Sequence, residues 1–157
     1  MNIKNLLLNI IGIIIWLLSN LFYKTRKYIL IENCNGKYAD SVKEVYENLD
    51  YPYKYFVVNS KTTFKTLKSQ QKSVLLKGSA KYFYYLAKSK VYVTNTMINY
   101  EITHRLDMTI VSIFHGFGTK KTPSHYELKY NYQRFYKDFN NLDYIICLSD
   151  RDKTYFG

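Results

Sequence analysis

Only two prolines, six glycines and two cysteines occur in the 157 residues. So little proline and glycine excludes a collagen-like or low-complexity chain. The cysteines, Cys34 and Cys147, lie far apart. They form neither a disulfide framework nor a zinc spacing, and each reads as a reduced interior thiol in or beside a strand. Acids are scarce as well: 12, against 23 lysines and arginines, for a formal charge of +11. That surplus excludes an acidic solvating tail. It attracts polyanions, whether nucleic acid, anionic lipid or phosphate-rich substrates, without choosing among them. There is no P-loop and no nucleophile elbow, so no metal or other cofactor is expected. Internal repeats and flexible linkers are absent too.

What the sequence does have is apolar bulk. It is 47% hydrophobic and 18% aromatic, enough for one compact domain with a sizeable core. The 18 tyrosines come with abundant Lys, Asn and Ile, a bias typical of AT-rich genomes.

Leu6 to Phe22 carries no charge, and its clearly polar residues are Asn9, Ser19 and Asn20. About 17 residues is the low edge of a membrane span. Trp16 and Tyr23 are suited to anchor it near headgroups. Lys24, Arg26 and Lys27 follow at once, with no small-residue cleavage site, which favours retention over signal-peptide cleavage. Residues 1–27 therefore read as a hydrophobic, membrane-associating helix with a basic flank. The basic excess over Lys4 puts the rest of the chain on the cytoplasmic face of the cell membrane. The segment either spans or lies in the interface. The alternative is a buried helix of a soluble domain.

Residues 28–157 alternate short apolar runs with helical patterns. Strands are expected at Tyr28–Ile31, Tyr55–Val58, Val74–Leu76, Lys90–Thr94, Thr109–Phe114 and Tyr144–Leu148. Helices are expected over Ala39–Leu49, with Asp40 near its start, and from Gly78 to Ala87 with Ser79 as N-cap. Several strands are apolar on both faces, as in a parallel sheet covered by helices. The expected fold is α/β, a Rossmann-like, open, mostly parallel sheet. Ser149 to Asp152 reads as the start of a further helix close to Gly157, the expectation being a truncated or split chain.

His115, Gly116, Phe117, Gly118, Thr119, Lys120 and Lys121 follow the fifth strand. Ligands of open α/β sheets bind beyond the carboxyl ends of strands. Gly116 and Gly118 let backbone N–H groups approach a phosphate, and Lys120 and Lys121 add charge. His115 titrates near neutrality, as a general base requires, although a lone histidine at a strand end is more often structural. Asn95 and Thr96 end the fourth strand, where they either contact an acceptor or cap the loop. His104 with Arg105 reads as a solvated helix end, and His125 lies in a stretch with no clear pattern. Tyr82, Tyr85 and Leu86 share one helix face, which suits a core contact better than nucleic-acid stacking.

Four stretches, in order, resemble the CDP-glycerol glycerophosphotransferase family. They are Asn35 to Ser41; Tyr53 to Val58; Gly78 through Ala87 to Asn95; and Phe114-His115-Gly116 with Lys120 and Lys121. The last is similar to the family's His-Gly-Thr-Pro-x-Lys signature, with Phe117 and Gly118 in place of Thr and Pro. The resemblance covers nearly everything after Arg26. It implies the first domain of a B-type glycosyltransferase fold, whose second domain, in the same chain or a separate C-terminal half, supplies most of the donor site. It also implies transfer of glycerol phosphate from CDP-glycerol to a hydroxyl of a lipid-linked glycerol phosphate acceptor, in teichoic acid or capsular polymer synthesis. His115 would be the base, and Gly116, Gly118, Lys120 and Lys121 would hold phosphate. The alternatives are a CDP-ribitol or nucleotide-sugar transferase, or a non-catalytic remnant binding membrane and acidic polymer.

Overall fold

The computed structural model describes residues 3–96, 98–113, 137 and 139–147. The order is α1 (Ile3–Leu21), β1 (Tyr28–Glu32), α2 (Asp40–Asn48), β2 (Lys54–Val58), α3 (Lys61–Ser69), β3 (Val74–Leu76), α4 (Ala80–Ala87), β4 (Ser89–Thr94), α5 (Tyr100–Thr103), β5 (Thr109–Ile113) and β6 (Tyr144–Ile146). The six strands form one sheet in the order β3-β2-β1-β4-β5-β6. All five pairings are parallel. This is the doubly wound order, and the strand order reverses between β1 and β4.

Each expected strand is present, within a residue or two at its ends. Strand alternation sends side chains to two cores. Leu30, Val57, Leu75, Tyr92 and Ile110 face Tyr82 and Leu86 of α4 and Ile15 of α1. Ile31, Phe56, Val58, Val93 and Ile113 face Val42 and Tyr46 of α2 and Leu67 of α3. Burying each such side chain contributes about 1.5–3 kcal/mol before chain entropy is subtracted. Ser79 caps α4 by accepting from the Tyr82 N–H at 3.1 Å. The helix face of Tyr82, Tyr85 and Leu86 packs inward as its periodicity requires, while Tyr84 stays exposed. Helix α3 has no counterpart in the sequence reading, because Phe64 and Leu67 are its only large apolar residues.

Helix α1 departs from a simple membrane segment. No helix among the described residues is long and apolar enough to cross a membrane. One stripe, containing Gly12, Ile15 and Ser19, is buried. Gly12 lies so close to the α5 backbone that a Cβ there would collide with the Glu101 carbonyl oxygen. The opposite side, including Leu6, Leu7, Ile10, Ile14 and Leu17, is exposed. Arg26 does not join a free basic flank. Its side chain is only 8% exposed and pairs with Asp107 at 2.6 Å. Lys24 and Lys27 remain exposed. Cys34 and Cys147 are free thiols, half-buried rather than interior. His104 caps the C-terminal end of α5, half-buried and stacked on Tyr100 at 4.3 Å.

Candidate active site

The body of the sheet is apolar, but its carboxyl edge is polar and still buried. Glu32, Asn33, Thr94, Asn95 and Ser112 are each at most 4% exposed. Register explains the clustering. Glu32 pairs with Thr94, and Thr94 with Ser112, so three polar residues stand in one row across β1, β4 and β5. The row crosses the point where strand order reverses, the place where open α/β sheets take ligands.

Two asparagines join the loops on either side of that point. Asn95 Nδ2 donates to Asn33 Oδ1 at 2.7 Å. Asn95 Oδ1 accepts from the Cys34 N–H, also at 2.7 Å. Asn33 Nδ2 donates to the Ala39 carbonyl at 2.8 Å and to the Asp40 carboxylate at 3.2 Å. The loop so held contains Gly36 and Asp40 at φ of 64° and 61°. Positive φ suits glycine, and at Asp40 it is an uncommon, strained conformation. Gly36 has a second constraint, since a Cβ there would strike the Asn59 backbone nitrogen. Thr94 Oγ1 accepts from the Thr96 N–H at 3.0 Å, tightening the turn out of β4.

Beside this clamp lies a buried carboxylate. Glu32 Oε1 accepts from Lys77 Nζ at 2.5 Å, and Glu32 Oε2 accepts from the Tyr92 hydroxyl. Burial, and then the Glu32 charge, push the Tyr92 and Tyr82 phenols above their ordinary range, so both remain protonated donors. The described residues contain no cluster of metal-ligating side chains.

Of the residues singled out from sequence, Asn95 and Thr96 stand at this edge. His115, Gly116, Gly118, Lys120 and Lys121 lie outside the described residues, as does His125. The chain leading to them is described as far as Ile113, the carboxyl end of β5. Glu32, Asn33 and Lys77 were not singled out. A lone acid ending an apolar run gives no motif, and its lysine partner is 45 positions away. A cavity of about 290 Å³ opens at the opposite edge, lined by Tyr23, Arg26, Lys90, Asp107 and Thr109. It lies at the amino ends of β4 and β5, away from the ligand-binding end of the sheet, and Arg26 is already neutralised there by Asp107.

A sequence profile for CDP-Glycerol:Poly(glycerophosphate) glycerophosphotransferase matches residues 15–157. The chain belongs to this glycerophosphotransferase family. Among solved structures, the wall teichoic acid polymerase TagF is similar in fold, with a TM-score of 0.62 and 18% identity over 98% of this chain and 44% of that one. That crystal is a histidine variant soaked with CDPG. A second TagF variant gives a TM-score of 0.63 and 19% identity over 99% of this chain and 44% of that one. This glycerophosphotransferase chain thus spans less than half the length of the solved structures it matches. Comparison with curated proteins finds no match.

Proposed function

We propose that this chain forms the acceptor-side domain of an enzyme transferring glycerol phosphate from CDP-glycerol to a hydroxyl of a membrane-linked acceptor in teichoic acid or related polymer synthesis. The reading rests chiefly on the buried polar edge at the strand-order reversal, in a chain of this family. The acceptor hydroxyl attacks the β-phosphorus of CDP-glycerol. A new O–P bond forms as the bond to CMP breaks. His115 takes the hydroxyl proton as general base. Gly116 and Gly118 present backbone N–H groups to phosphate, and Lys120 and Lys121 offset the charge on its oxygens. Thr96 meets the acceptor at the end of β4, while buried Asn95, its amide engaged by Asn33 and Cys34, holds the loop beside it. A second, donor-binding domain completes the site.

The test is CMP release from CDP-glycerol with a lipid-linked glycerol phosphate acceptor, with CDP-ribitol as a parallel donor. Release that depends on the acceptor and prefers CDP-glycerol supports the reading. Preference for CDP-ribitol, or no release by any protein containing the domain, refutes it.

We propose in addition that the chain associates with the cytoplasmic face of the cell membrane, a reading that the basic flank after α1 motivates and its exposed apolar side supports. Leu7, Ile14 and Leu17 on that side are exposed, and Trp16, Tyr23, Lys24 and Lys27 supply interfacial and basic anchors.

A further inference from the structure

We propose that Lys77 is a phosphate-contacting cation of the crevice and that buried Glu32 positions it. The proposal deepens the transferase reading and rests on it.

Lys77 follows β3, and Glu32 ends β1, with β2 between them in the sheet. The Lys77 N–H donates to the Val58 carbonyl at 2.8 Å, fixing its backbone at the carboxyl end of β2. Its side chain therefore reaches across β2 to Glu32, which draws the ammonium toward the reversal between β1 and β4. The two partners are unequally buried: the Glu32 side chain is 3% exposed and that of Lys77 42%. The carboxylate has no solvent of its own, whereas the ammonium keeps one side open. One Lys77 N–H is spent on Glu32, and an ammonium has three.

Stability does not call for this arrangement. A buried ion pair is commonly matched or bettered by apolar side chains of the same volume, and the sheet face around Glu32 is otherwise built from Leu30, Val57 and Tyr92. What the pair supplies is a cation whose position is set from below. Both Glu32 oxygens are engaged, one by Lys77 and one by Tyr92, so the carboxylate itself cannot turn. A lysine held in this way meets a phosphate as a preorganised point charge, with less ordering left to pay on binding. The ligand chemistry is a phosphate oxygen, of the donor diphosphate or of the acceptor's phosphodiester.

The experiment is calorimetric titration of the 157-residue chain with CDP-glycerol and, separately, with a short glycerol phosphate oligomer, each at low and high salt. The key variant is the double substitution Glu32→Gln with Lys77→Met, which removes both charges and keeps an oxygen for Tyr92. It should melt near the wild-type temperature and bind one of the two ligands about tenfold more weakly, with a flatter salt dependence. The ligand affected identifies the source of the phosphate. Lys77→Arg should retain most of the affinity. Glu32→Gln alone should fall between the double variant and wild type, and Lys90→Ala, at the opposite edge, should bind normally. Wild-type affinity for both ligands in the double variant overturns the assignment of Lys77 and leaves the transferase reading intact. Failure of the wild-type chain to bind either ligand overturns the assignment of Lys77 as a phosphate contact of this domain and leaves the transferase reading to the CMP-release assay.

Discussion

The body of the sheet and its carboxyl edge are equally buried but chemically opposite. In the body, Leu30, Ile31, Phe56 and Val57 are fully enclosed among apolar neighbours. At the edge, Glu32, Asn33, Thr94 and Asn95 are enclosed just as fully, and each polar group has to find a partner. Burial alone therefore does not mark a core. The body follows the rule that apolar area leaves water, whereas the edge accepts the cost of desolvating polar groups where the fold binds ligands. Substitutions should separate the two regions, body variants losing stability and edge variants losing binding or rate.

The largest effect is expected in the body. Phe56→Ala removes a fully buried ring that packs on Tyr38 and Tyr46. It should cost about 3–5 kcal/mol in chemical denaturation. The counterpart from the proposed mechanism is His115→Gln, assayed in a protein that contains this domain and releases CMP. Turnover should fall roughly 10²- to 10⁴-fold while melting temperature and donor binding stay near wild type. A fold-intact variant with full turnover would remove His115 from the mechanism.

Two intermediate cases sharpen the contrast. Gly36→Ala meets both a positive φ and the Asn59 backbone, and should cost about 1–3 kcal/mol of stability. Ser79→Ala removes only the cap of α4, at about 1 kcal/mol. If both variants melt like wild type, the loop geometry and the cap do not matter as argued. The outward face of α1 should cost no stability at all. Leu7→Glu with Ile14→Glu should release the chain from membranes in fractionation and leave its melting curve unchanged. Retention of this variant on membranes at high salt would show that the face is not the anchor.

The smallest effect is electrostatic. The hydrogen bond from Lys72, then that from Tyr38, hold the Glu47 carboxyl below its ordinary range. A depressed carboxyl contributes stability above its unfolded value and loses it as pH falls through the folded value. The pair is partly exposed, so solvent screening keeps the contribution small. Lys72→Met should flatten the stability profile on the acid side and change little near neutrality. An unchanged acid limb would show that the pair contributes nothing.

The body was far more legible in the sequence than the edge. Apolar runs such as Tyr55 to Val58 name themselves, and Ser79 announces α4. Helix α3 was hidden because Thr62, Thr63 and Thr66 dilute its pattern, although Ser60, which caps it by accepting from the Thr63 N–H, was a usable signal. The edge was hidden because its logic is not local. Glu32 gains its meaning from Lys77 and Tyr92, and Asn95 from Asn33, partners that only sheet register brings together. Helix α1 was ambiguous for a third reason. Composition counts apolar residues all round a helix, whereas Gly12 and Ile15 face the domain and Leu7 and Ile14 do not.

The most direct test of the central claim is an amide hydrogen-exchange footprint of the chain with a short glycerol phosphate oligomer. Protection is predicted at the carboxyl edge, in residues 33–40, 77–79 and 95–96. Protection confined to the amino-edge cavity around Arg26 and Lys90, with the carboxyl edge unchanged, would contradict it.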